Sequence, residues 1–157
     1  MKRILVGLDG SHRANSVLRE ALTFAQEMRA QLLLMRAVTL PKDFPVEAYS
    51  LAPTDVKRLL ELRARQDLEA FARSIPTENF GGICVQAGVP WQAICKAAQA
   101  ENVDFIFLGT QGNGAADRLL GTTAAKVIAN ADRPVLVFRA PPAPLPTLRN
   151  TINISAG

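Results

Sequence analysis

Between Val103 and Arg139 the chain runs apolar segment, glycine cluster, helix start, apolar segment, and few folds accept that order. Val103-Asp104-Phe105-Ile106-Phe107-Leu108 has the length and the β-branched and aromatic content of a buried strand. Gly109, Gly112 and Gly114 follow at once. After Leu119-Leu120-Gly121, the run Ala124 to Ala129 reads as a helix with Thr122 or Thr123 as its N-cap. Asp132-Arg133-Pro134 breaks that helix, and Val135-Leu136-Val137-Phe138 reads as another strand. α/β proteins use this sequence of elements to present backbone N–H groups and a helix dipole to an anion.

The rest of the chain alternates in the same way. Arg3 to Leu8 reads as a strand that ends in the loop signature Asp9-Gly10-Ser11. Ala14, Val17, Leu18, Ala21, Ala25 and Met28 recur at helical spacing. Gln31 to Val38 is a second apolar run, and Thr39 to Pro53 carries prolines without a period and reads as a loop. Thr54 is placed to cap a long helix through about Ser74, with Leu60, Ala64, Leu68, Phe71 and Ile75 along one face. Phe80 to Ala87 reads as a third strand, loosened at its start by Gly81-Gly82. Gly88-Val89-Pro90 turns the chain into a helix from Trp91 to Glu101, which buries Ile94, Ala97 and Ala98. Five strands separated by helices imply a parallel sheet with helices on both faces, because parallel strands need crossover connections. Ligands of such sheets sit beyond the carboxyl ends of the strands. The Asp9 loop, the segment after Val38 and the glycine loop after Leu108 all fall on that edge.

Composition removes several classes of function. Of 157 residues, 48% are apolar and 20% charged, as in a soluble globular domain with a core of its own. The formal charge of +4 is modest, and Arg58, Arg63 and Arg65 are interleaved with Glu61, Asp67 and Glu69. That reads as a solvated helix face, so nucleic acid is not an expected partner. Cys84 and Cys95 make neither a CxxC motif nor a disulfide framework, which points to a reducing compartment. No segment approaches the roughly 18–20 apolar residues of a membrane span, and the start of the chain lacks a signal-peptide apolar region. The expected location is the cytoplasm, with no membrane partner.

Individual reactive residues point away from ordinary catalysis. His12 is the only histidine, so neither an HExxH zinc site nor a histidine-dependent triad is available, and it reads as an exposed loop residue. Trp91 reads as packing at a helix start and Cys95 as a small core residue. No GxxxxGK sequence is present, which excludes a P-loop, and no GxGxxG follows the first strand.

The sequence also carries a specific likeness. Ile4-Leu5-Val6-Gly7-Leu8-Asp9-Gly10-Ser11, Val85 to Pro90, Asp104 to Thr110 and Asp132 to Val137 stand where one family has its opening, third, fourth and final strands. From Met1 to about Arg139 the chain resembles the universal stress protein family in its single-domain form. Nucleotide-binding members carry Gly, two residues, Gly, nine residues, then Gly-Ser or Gly-Thr. Here Gly109 and Gly112 are followed by eight residues before Gly121-Thr122.

The resemblance implies a five-stranded parallel sheet in the order 3-2-1-4-5, of the adenine nucleotide alpha hydrolase-like kind. It implies ATP as ligand, with or without Mg²⁺. In that arrangement Asp9 lies near the nucleoside, Gly7 and Leu8 line its pocket, and the Val38 backbone reaches the adenine edge. Gly109, Gln111, Gly112 and Asn113 form the loop at the phosphates, where a missing Cβ permits close approach. Gly121, Thr122 and Thr123 would offer N–H groups at a helix start. A homodimer through residues 134–139 is expected, with a regulatory or stress-response role. The alternatives are a dimeric interaction module that binds no nucleotide, and a weak ATP hydrolase.

Residues 1–140 read as one domain. Beyond them, 141–157 form a Pro-rich tail, with four prolines between Pro141 and Pro146. Such a run can form neither a helix nor an inner strand. It reads as a disordered tail or as an arm that crosses to another subunit.

Overall fold

The computed structural model describes residues 1–40, 52–110 and 120–139. Gln111, Gly112 and Asn113 of the glycine loop, most of the connection after Thr39 and the Pro-rich tail lie outside the described residues. Five strands are formed: β1 (Lys2–Gly7), β2 (Ala30–Val38), β3 (Phe80–Ala87), β4 (Phe105–Gly109) and β5 (Val135–Phe138). Between them run α1 (Ala14–Met28), α2 (Pro53–Ala72), α3 (Pro90–Ala100) and α4 (Thr122–Asn130). Every strand pair is parallel, as the alternation of strands and helices requires, and the order is β3-β2-β1-β4-β5, as the family resemblance implies.

Side-chain alternation along the inner strands divides the core into two layers. Ile4, Val6, Leu32 and Leu34 pack with Leu18 and Ala21 of α1 and with Leu68 of α2. Leu5, Leu33, Met35 and Ile106 pack on the other face with Ile94 and Ala97 of α3 and with Ala124 and Val127 of α4. Both faces of β1 and β2 are therefore covered, which is why these strands read as continuous apolar runs. At the start of β3 the pairing steps from Leu32↔Phe80 to Leu33↔Gly82, so Gly81 is an extra residue in a bulge. Gly82 has φ +129°, which a side-chain-bearing residue rarely adopts.

Helix starts differ from their expected positions. Ala52, not Thr54, is the N-cap of α2, because Pro53 occupies the first helical turn with φ already fixed and no N–H to satisfy. Pro90 opens α3 in the same way, one residue before the expected start. At α4 the N-cap is Gly121, so Thr122 and Thr123 are helical and neither caps the helix through its side chain.

Two polar contacts fasten the ends of the elements. Arg133 donates from Nη1 to the carbonyls of Ala98 and Val103, each at 2.7 Å, and so ties the end of α3 to the approach of β5. Asp132 accepts from Arg133 Nε at 2.7 Å, a hydrogen bond that holds its carboxyl below the usual range. Asn79, buried, donates from Nδ2 to the Ala30 carbonyl at 2.9 Å.

Candidate functional site

Strand order reverses at β1, which has β2 on one side and β4 on the other, and the crevice beyond the ends of β1 and β4 is the place for a ligand in this topology. A cavity of about 250 Å³ opens there. Gly7, Leu8, Asp9 and Ser11 line it from the end of β1, and Leu108 and Gly109 from the end of β4. Apolar surface comes from Val17 of α1, Met35 and Ala37 of β2, and Ile94 of α3. Gly121, Thr122, Thr123 and Ala124 close the lining at the start of α4.

Seven of the expected site residues are thus brought together: Gly7, Leu8, Asp9, Gly109, Gly121, Thr122 and Thr123. Val38 is buried at the end of β2, where its carbonyl accepts the Gly88 N–H at 3.0 Å. It lies outside the lining, and Met35 and Ala37 represent that strand instead. Gln111, Gly112 and Asn113 fall outside the described residues.

The donor set at α4 is not quite the expected one. The Gly121 N–H donates to the Thr110 carbonyl at 2.6 Å and is engaged, while the Gly121 carbonyl accepts the first intrahelical bond, from Ala125 at 3.0 Å. That leaves Thr122, Thr123 and Ala124 as the first-turn amides without an intrahelical carbonyl. All three line the cavity, at the positive end of the helix dipole. An anion placed there meets donors that no side chain caps.

The strand-end glycines have a second cause. A Cβ on Gly109 would lie 2.7 Å from Val17 Cγ2, and one on Gly7 would lie 2.5 Å from Leu108 Cδ2. At both positions a side chain would press on a neighbouring one, the flexible end of Leu108 at Gly7 and the stiffer Val17 at Gly109, in addition to any close approach of a ligand. The reading of Gly109 as a phosphate-loop residue alone missed that contact.

The acidic loop is held from both sides. Asp9 is exposed, and its Oδ1 accepts the Ser11 N–H at 3.0 Å, closing a short turn. Arg36, on β2, donates from Nε to the Leu8 carbonyl at 3.3 Å and from Nη2 to the Asp9 carbonyl at 3.1 Å. Its Nη1 meets Asp67 Oδ2 of α2 at 2.7 Å. Arg36 escaped the sequence reading because an arginine inside an apolar run carries no local sign of the loop it will reach.

Other reactive groups stand apart. Cys84 and Cys95 are partly buried, and burial pushes both thiols up from their ordinary range, which keeps them protonated and poorly nucleophilic. Cys95 packs beside the second core layer, in line with the packing role read for it. His12 is exposed. Among the described residues no group of three or more His, Cys, Asp or Glu side chains is arranged for a metal ion, and no helix is long and apolar enough to cross a membrane.

Comparison with known proteins agrees with this architecture. The family model described as the universal stress protein family matches residues 1–139. A universal stress protein of Thermus aquaticus, named for its place in the QAH/OAS sulfhydrylase 3' region, is 36% identical over 140 residues, covering 88% of this chain and 98% of the relative. Among solved structures, protein MJ0577 of Methanocaldococcus jannaschii superposes with a TM-score of 0.76 at 25% identity, covering 90% of this chain and 98% of that one. A universal stress protein solved in complex with cAMP shares the fold, with a TM-score of 0.55 and 23% identity over 88% of this chain and 96% of that one.

Proposed function

The chain belongs to the universal stress protein family, and from that premise we propose that it is an ATP-binding member with a regulatory or stress-response role, working in the cytoplasm as a nucleotide-dependent homodimer. One observation carries the reading: the uncapped first turn of α4 and Asp9 line the same, largely apolar cavity. The base and ribose find apolar surface at Val17, Met35 and Ile94, with Asp9 as acceptor for a ribose hydroxyl. The phosphates face the amides of Thr122, Thr123 and Ala124, where charge-assisted bonds are strongest. The cAMP complex of the fold neighbour places an adenine nucleotide in a protein of this architecture.

The test is direct. Purified protein is denatured, and the released material is read by absorbance and mass spectrometry, with calorimetric titration of ATP into the stripped protein. Bound adenine nucleotide or saturable ATP binding is the expected result. A protein that neither carries nor binds nucleotide would be an interaction module of the same fold.

Bound ATP should turn over slowly or not at all. Phosphoryl transfer needs a positioned nucleophile and metal-held charge neutralisation. Asp9 is the one carboxylate among the described residues that lines the cavity, and a ribose role occupies it. No Walker lysine exists in the chain. Turnover with Mg²⁺ and radiolabelled ATP should stay far below the ~1–100 s⁻¹ of kinases. Sustained hydrolysis on the order of 1 s⁻¹, lost in Gly121→Val, would make the protein an enzyme.

Assembly follows from the sheet edge. β5 is an outer strand, and Val135, Leu136, Val137 and Phe138 are all only partly buried. Unpaired backbone groups along such a strand are a template for another strand. Two chains pairing through residues 134–139 about a twofold axis would cover both edges at once. Light scattering should return twice the 16.9 kDa chain mass. A monomer at high protein concentration would remove the dimer from the proposal.

A further inference from the structure

We propose that Arg36 is a positioning residue for the nucleotide site, acting through Asp9 and itself oriented by Asp67 of α2. The inference rests on the ATP reading for its functional meaning, but its geometry stands apart from that reading. The Arg36 side chain is 12% exposed and spends all three guanidinium nitrogens on separate acceptors. Two of these are the consecutive carbonyls of Leu8 and Asp9, at 3.3 and 3.1 Å. They belong to the residues where β1 leaves the sheet and turns into the cavity rim.

The remaining bonds at that point are local to the turn, apart from one to β2. Leu8 is still held by its N–H, which donates to the Met35 carbonyl at 2.9 Å. Asp9 and Gly10 are exposed, and a Cβ on Gly10 would meet nothing within 4 Å. The Asp9 carboxylate is tied to the Ser11 N–H at 3.0 Å, and the anchored Asp9 carbonyl fixes the backbone from which that turn starts. The planar fork of an arginine suits this task, because its donors point in fixed directions and take two neighbouring carbonyls together. The Arg36–Asp67 contact at 2.7 Å prevents the fork from rotating away. α2 thereby reaches the nucleotide rim without lining the cavity.

Five variants test the assignment: Arg36→Gln, Arg36→Lys, Asp67→Asn and Asp9→Asn, each alone, and Arg36→Gln combined with Asp9→Asn. Arg36→Gln should weaken ATP and adenosine alike by about tenfold, corresponding to about 1.4 kcal/mol. Arg36→Lys should recover part of that loss, and Asp67→Asn should lose less than Arg36→Gln. If Arg36 acts through Asp9, the double variant should bind no more weakly than Asp9→Asn alone. Additive losses, or full affinity in Arg36→Gln with only a lowered melting temperature, would overturn the role. Should the wild-type protein bind no nucleotide, the ATP reading fails on its own, and amide exchange at Ser11 decides the clamp. That N–H is bonded to Asp9 Oδ1, and Arg36→Gln should speed its exchange by about tenfold while core amides stay protected. Unchanged Ser11 exchange would overturn the proposal.

Discussion

Gly121→Val is expected to weaken ATP binding by about 100-fold, or about 2.8 kcal/mol, while costing the fold only about 1 kcal/mol, the loss for a poor N-cap residue. The separation of the two effects comes from the backbone. Gly121 sits at φ −61° and ψ 153°, an extended conformation open to valine, so the substitution strains nothing in the chain itself. Its N–H keeps the bond to Thr110 and its carbonyl keeps the bond to Ala125. Gly121 lines the cavity together with Thr122, Thr123 and Ala124, so a larger residue there is expected to crowd a ligand at those amides. A phosphate displaced from those amides loses several charge-assisted bonds together. Calorimetric titration paired with thermal unfolding measures both quantities. Undiminished affinity would move the nucleotide to another site.

Leu34→Ala should destabilise the fold by about 3–4 kcal/mol, around the middle of the range for leucine truncations in packed cores. Leu34 is fully buried in β2, pairs in register with Val6 and Ile83, and belongs to the layer under α1 and α2. β2 is an inner strand, so the surroundings have few ways to collapse into the space left behind. For a chain of this size the change lowers the melting temperature by roughly 10 °C. Denaturant unfolding provides the free energy. A loss below about 1 kcal/mol would mean that the layer repacks, contrary to the tight interior described.

The strands and helices were legible because burial writes a period into the chain. Ile4 to Val6 and Phe105 to Leu108 could only be inner strands, and the Ala14 to Met28 spacing only a helix covering them. Helix starts were less legible. Thr54, Thr122 and Thr123 have the chemistry of caps, yet the fixed φ of Pro53 sets the start of α2, and α4 begins with Gly121 as N-cap in an extended conformation that any residue can adopt. The cavity residues on strand ends were legible from topology, since every loop at one edge of a parallel sheet converges. Arg36 and Arg133 were not. Each reaches a carbonyl at least 27 residues away in sequence, and nothing in the neighbouring letters records such a partner. Gly109 was legible as a bare position but not as one shaped by Val17, because that contact depends on how closely α1 settles on the sheet.

That close seating has a consequence for the size of ligand the protein can accept. Val17 fills the place where a side chain at 109 would stand, and Val17 also lines the cavity. Helix and strand thus meet closely at the ligand's edge, through Val17 and the bare position 109. A bulkier strand end would press first on the Val17 side chain, and so on the helix that carries it as well as on the space for a ligand. Redesign for a larger or smaller ligand has to leave this seam alone and work from the loops, which can lengthen or retract without disturbing the spacing of the layers.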